Sequence, residues 1–179
     1  MAKLRLEIKS KSLLAQLLKE WDGKHIAYLK DIYENYADQA SFSPLLMELY
    51  TQEPGLQTAT TWLIKHHYDN NHVIPSALID PLLFMAKELV YWEAKLHVLQ
   101  LLPMLELRPE HIPYLEDFVR RCLTDKKTFV RAWAYQGMYE IAQFRSDFIP
   151  ELKQLCAEAL ENERASVKAR VRKVLEKLP

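Results

Sequence analysis

The amino-acid sequence predicts an all-α protein, a right-handed α-α superhelix (solenoid) of about five antiparallel helix pairs. Three observations predict it. Only 3 of the 179 residues are Gly, while the strong helix formers Leu, Ala, Glu and Lys abound. An Ile-Pro step recurs at "VIPSALIDPLLFM" (73–85), "HIPYLEDFVRRCL" (111–123) and "FIPELKQLCAEAL" (148–160), with Pro75, Pro113 and Pro150 spaced 38 and 37 apart. Ala94, Ala132 and Ala169 then follow, each 19 residues after its proline. Two independent features with one offset make a repeating unit of about 37 residues, the length of a helix pair in helical-repeat proteins.

The elements follow in order. "LRLEI" (4–8) alternates weakly and reads as an extended N-terminal arm. "SLLAQLLKEW" (12–21) and "HIAYLKDIYENYA" (25–37) carry helical apolar spacing and make capping helices over 10–37. A looser first unit spans 40–71, from "PLLMELY" to "TATTWLIKHHY", with 15 residues from Pro44 to Ala59. Clearer units follow at 74–105, 110–144 and 148–178. Pro suits the first turn of a helix, where its missing N–H would find no partner, so each Ile-Pro marks a first-helix start. The second helices carry an inward stripe at i, i+4, i+7: Trp92, Leu96 and Leu99; then Val130, Ala134, Gly137, Met138 and Ile141; then Val167, Val171, Val174, Leu175 and Leu178. Gly137 stands where the neighbouring units have Leu99 and Val174, which predicts a close helix approach. No linker or low-complexity tract interrupts the series, so residues 1–179 read as a single domain.

The third unit carries a further signature: Asp125, "KKTF", Val130-Arg131, and a helix with Ala134 and Met138. Over roughly residues 40–179 the chain resembles the HEAT-repeat family of armadillo-like α-solenoids. The resemblance implies that a turn Asp and a second-helix Arg form ladders between neighbouring repeats. At the equivalent positions stand Lys87 and Asn162 for Asp125, and Glu93 and Lys168 for Arg131. Stacking would then set Lys87 against Asp125 and Glu93 against Arg131, both opposite in charge.

Charge bounds the function. The chain has 24 basic and 24 acidic residues, with net −2 over residues 1–89 and +2 over 90–179. A dedicated duplex nucleic-acid binder usually carries a basic excess. Here the excess is confined to the last sixteen residues, with six Arg/Lys against one Glu. Cys122 and Cys156 lie among apolar residues with no CxxC, as buried thiols do. With no signal-peptide pattern and no apolar run near 18 residues, the expected setting is the cytoplasm, with no membrane partner.

Catalytic chemistry finds no motif. There is no GxSxG and no Gly-rich phosphate loop, and serines precede helices, where capping explains them. "HHYDNNH" (66–72) has the residue types of a Zn or Ni site. However, His66 and His67 point to different helix faces, and the stretch suits a helix C-terminus and turn. Glu93 and His97 lie one turn apart, as a solvated contact more than an acid–base pair. No metal or cofactor is expected. Some HEAT-like solenoids are DNA glycosylases that remove alkylated bases with a catalytic Asp near a Trp. No Trp-x-x-x-Asp follows Trp21, Trp62, Trp92 or Trp133 here.

The surface is the better lead. Beside the buried stripe the second helices are expected to present His97 and Leu101, then Tyr135, Gln136 and Tyr139, then Arg172, Lys173 and Glu176. Arg131 and Lys168 flank them. The expected function is a non-catalytic scaffold or adaptor holding a protein or peptide partner through His97, Arg131, Tyr135, Tyr139, Lys168, Arg172 and Lys173. The alternative is a nucleic-acid binder of the alkylation-repair type. It would use the same aromatic and basic mixture to stack bases and meet phosphates.

Overall fold

Helix-forming residues at a 3.6-residue apolar period fold as expected into helices, and no strand occurs among the described residues. The computed structural model describes residues 11–179, so the arm at 4–8 lies outside the described residues. Ten α-helices follow in order. They are α1 (Lys11–Lys19), α2 (Ile26–Tyr36), α3 (Phe42–Gln52), α4 (Gln57–Asp69), α5 (Ile79–Phe84), α6 (Trp92–Leu101), α7 (Ile112–Leu123), α8 (Thr128–Ala142), α9 (Ile149–Asn162) and α10 (Ala165–Leu175). Short 3-10 turns join several of them. The helices group into two compact units. One holds the described residues up to Met85 with Leu89–Ala94; the other holds Ala86–Glu88 with Lys95–Pro179.

In the N-terminal unit α3 packs on α4, α1 on α3, and α2 on α4. Leu14, Leu29, Leu49, Leu63 and Leu82 are fully buried there. Tyr50 is fully buried too, and its hydroxyl donates to the Leu82 carbonyl at 3.0 Å, which settles the one polar atom that burial would otherwise strand. Thr60 and Thr61 lie inside α4 and are buried; their hydroxyls donate back to the Leu56 and Gln57 carbonyls at 2.9 and 2.7 Å.

In the C-terminal unit α7 packs along α8, α9 on α10, and α8 along α10. The predicted stripe on α8 is buried, with Val130, Ala134, Met138 and Ile141 all inaccessible, and so are Val167, Val171 and Val174 on α10. Gly137 does mark a close approach. A Cβ there would stand 2.8 Å from Val119 Cγ2 on α7. On α6 the predicted Leu99 is inaccessible, but Trp92 and Leu96 are only half-buried; Ala94, Val98 and Leu101 complete the inaccessible set.

Two of the three Ile-Pro helix starts hold. Pro113 and Pro150 fall in the first turn of α7 and α9. Pro75 does not: it is extended (φ −51, ψ 137) and precedes a 3-10 turn at Ser76–Leu78. The second unit has another proline, Pro81, and α5 starts at Ile79, so Pro81 takes the first-turn place.

Candidate functional site

The turn between α7 and α8 is built on Asp125. Its Oδ1 accepts the Lys127 amide at 2.8 Å and its Oδ2 accepts Lys95 Nζ at 2.9 Å. Burial alone would raise this carboxyl, but the Lys127 amide and the Lys95 ammonium outweigh burial and hold it below its usual value. Arg131 closes the turn, donating Nη1 to the Asp125 carbonyl at 2.9 Å. It also forks onto Glu163, beyond the end of α9, through Nε at 2.6 Å and Nη2 at 2.8 Å. The fork in turn lowers the Glu163 carboxyl. Asp125 thus meets Lys95 of α6, and Arg131 meets Glu163 just after α9. The equivalent-position partners Lys87 and Glu93 are replaced by long side chains reaching from other positions.

The expected binding residues divide. Arg131 is committed to this clip, and its side chain is only 18% exposed. Tyr135 is buried at 7% and Gln136 at 2%, because α10 and the preceding helices cover that side of α8; Leu101 is also inaccessible. Burial pushes the Tyr135 phenol up. These corrections remove Tyr135, Gln136 and Leu101 from the surface. Tyr139 is half-buried under the Lys177 ammonium, 5.2 Å from the ring centroid. Lys168 is half-buried and donates to the Glu161 carbonyl at 3.1 Å. His97 is half-buried on α6, while Arg172 and Lys173 are exposed.

A different set converges on the solvent side of α8 and α10. Phe129, Ala132 and Trp133 from α8 and Ser166, Ala169, Arg170 and Lys173 from α10 line a depression of about 250 Å³. Phe129 is 60% exposed. The Arg170 guanidinium carbon sits 3.7 Å from the Trp133 ring centroid, a close cation–π stack. Ala132 and Ala169, the small residues at equivalent places in the repeat, line the same depression. Of the expected residues only Lys173 belongs to it. The signal was present as i, i+4 spacing, Phe129 to Trp133 and Ser166 to Arg170, on the faces next to the buried stripe.

Burial pushes the Cys122 thiol up to about 12 and the Cys156 thiol up to about 11, so neither is a ready nucleophile. Both are free and buried. In the His-rich turn, His66 stacks on Trp62 with ring centroids 4.6 Å apart, and His67 Nδ1 meets the Tyr33 hydroxyl at 3.1 Å. Both imidazoles also pack edge-on against the Tyr33 ring, at 4.7 Å for His66 and 5.9 Å for His67. No group of three His, Cys, Asp or Glu side chains able to hold a metal ion occurs among the described residues. No helix among them is long and apolar enough to cross a membrane. Compared with protein-family models, curated proteins and solved structures, the chain matches none.

Proposed function

We propose that the chain is a non-catalytic binding module that holds a protein or peptide partner against the α8–α10 face. The carrying observation is Phe129, 60% exposed beside the Arg170–Trp133 stack. An exposed aromatic next to an ordered Arg and a Trp is the residue mixture of interface hot spots. The ring, the guanidinium and the Lys173 ammonium suit a partner segment that brings an apolar side chain and acidic neighbours. The 37–38-residue spacing and the like-on-like stacking of α8 on α10 support the HEAT-like, right-handed solenoid of five pairs as its scaffold. Two unbridged, buried cysteines are in keeping with a cytoplasmic setting.

The test compares the full chain with Phe129→Ala and Arg170→Ala in capture from lysate, alongside anisotropy of labelled oligonucleotides at low and near-physiological salt. A captured protein lost from both variants, with both still folded, supports the reading. A capture profile that neither variant changes sinks it. Oligonucleotide binding that falls steeply with salt and vanishes when Lys168, Arg172 and Lys173 are neutralised would replace it with the nucleic-acid reading.

A further inference from the structure

The N-terminal unit carries a second concavity, unrelated to the α8–α10 face. It is a cleft of about 460 Å³, the size of small-ligand pockets. Its apolar floor comes from Leu18 at the end of α1 and from Leu56 and Ala59 at the start of α4, all buried. Two aromatic residues line it: Trp21 from the loop after α1, and Tyr91 from the loop before α6, which is 47% exposed.

The loop that holds Trp21 is pre-formed. The indole N–H donates to the His25 carbonyl at 3.1 Å, which orients the ring. Asp22 Oδ1 accepts the Lys24 and His25 amides, each at 2.9 Å, and Gly23 takes the left-handed turn at φ +78. Those two amides, helped by the His25 ring, hold the Asp22 carboxyl far below its usual value, so it remains charged.

The charge in the cleft is one-sided. Asp22, Glu53 and Glu93 line it against a single ammonium, Lys19. Lys19 Nζ stands 4.0 Å from Glu53, and its side chain is 61% exposed, so it offsets at most one carboxylate. Glu93 lines the cleft with no hydrogen bond or ion pair among the described residues. At the mouth, a Cβ on Gly55 would meet nothing within 4 Å. An excess of carboxylate beside aromatic rings above an apolar floor is the complement of one chemistry: a positive head on a slender carbon chain.

We propose that this cleft binds an organic cation, an alkylammonium or alkylguanidinium group, with Trp21 and Tyr91 flanking the head and Glu93 pairing with it. The source is either a free polyamine or a Lys or Arg side chain of a peptide, and the test separates the two.

The full chain, labelled with ¹⁵N, is titrated with spermidine, with agmatine and with the capped tripeptide acetyl-Gly-Arg-Gly-amide. The readout is the Trp21 indole and the Gly23 and Gly55 amides. Saturable shifts with Kd at or below about 1 mM are expected, weakened at least about fivefold by Glu93→Gln or Tyr91→Ala. Gly55→Lys, which places a competing ammonium at an open position, should abolish them, and Lys19→Ala should tighten binding. Shifts with the free amines alone identify a small-molecule site. Shifts with the tripeptide identify a side-chain site, and either supports the proposal. No saturable shift with any probe, equal shifts with neutral butylurea, or binding unchanged in both Glu93→Gln and Gly55→Lys would overturn it. None of these variants touches α8 or α10, so the outcome is independent of the partner-binding test.

Discussion

Arg131 lays Nε and Nη2 on the Glu163 carboxylate at 2.6 and 2.8 Å, with the two side chains only 18% and 20% exposed. The same guanidinium reaches the Asp125 carbonyl, so one side chain ties the turn before α8 to the turn after α9. A two-pronged, largely covered contact of this kind is unlike a single exposed surface pair.

Arg131→Ala is therefore expected to cost about 1–3 kcal/mol, since it leaves Glu163 and the Asp125 carbonyl under-satisfied. Arg131→Lys keeps the charge but loses the fork and should recover less than half. A double-mutant cycle with Glu163→Gln, read by urea denaturation, should show a coupling of about 1 kcal/mol. Additive single-mutant effects would mean that the fork contributes nothing.

Gly137→Ala sets two effects against each other. Replacing a mid-helix Gly should gain up to about 1 kcal/mol in helix propensity. The new Cβ would stand 2.8 and 3.1 Å from the two Val119 methyl carbons and 3.4 Å from Leu102 Cδ1. Val is stiff at χ1 and both it and Leu102 are buried, so relief requires the helices to shift, at about 1–3 kcal/mol. Net destabilisation is expected, and Val119→Ala in the same chain should remove most of the clash. A more stable Gly137→Ala single variant would show that α7 yields freely.

What the sequence conveyed, and what it hid, follows from these contacts. Asp125 and Arg131 were legible because a turn acid and a helix-start Arg have a local pattern. Their partners were not, because repeat alignment pairs equivalent positions, whereas Lys95 and Glu163 reach in from non-equivalent ones. Tyr135 looked exposed because helical period shows which residues share a face but not which neighbour covers it; with α7, α9 and α10 all packed on α8, that ring is buried. Phe129 and Trp133 share one of the remaining faces, but Arg170 meets Trp133 only once α10 is docked. The cleft of Trp21, Tyr91 and Glu93 had no sequence signal at all, since three separate segments supply it. Pro75 misled for a simpler reason: two prolines, Pro75 and Pro81, competed for one helix start.

Stability should fall in two stages as pH drops. Burial pushes the His67 imidazole below its ordinary 6.5, and His72, stacked 5.0 Å away, adds to this. His66 is lowered in the same direction, chiefly by burial. A lowered folded value means that the unfolded chain takes up the proton first. The stabilisation is whole above about 6.5 and is lost as pH falls through the folded values. Glu151, forked by Arg120 through Nη1 at 2.6 Å and Nη2 at 2.8 Å, Glu163, forked by Arg131, and Asp125 repeat the argument below their ordinary 4.5 and 3.8. Thermal melts between pH 8 and 4 should show a first decline below neutrality that is shallower in His67→Gln. An identical decline in that variant would remove His67 from the account.

The two aromatic residues at the C-terminal unit's surface and core should separate cleanly. Tyr135→Ala empties a 7%-exposed site on α8 and should cost about 3–5 kcal/mol, as large-to-small aromatic changes in cores do. Lost binding in that variant would report unfolding rather than contact. Phe129 is 60% exposed, so Phe129→Ala should leave stability within about 0.5 kcal/mol. Arg170→Ala removes the Trp133 stack and should cost about 0.5–1 kcal/mol, with a change in Trp133 emission as the ring loses its cover. Urea melts of the three variants decide it. If Phe129→Ala proves as destabilising as Tyr135→Ala, the ring is packing and not presentation, and the α8–α10 face loses its main anchor.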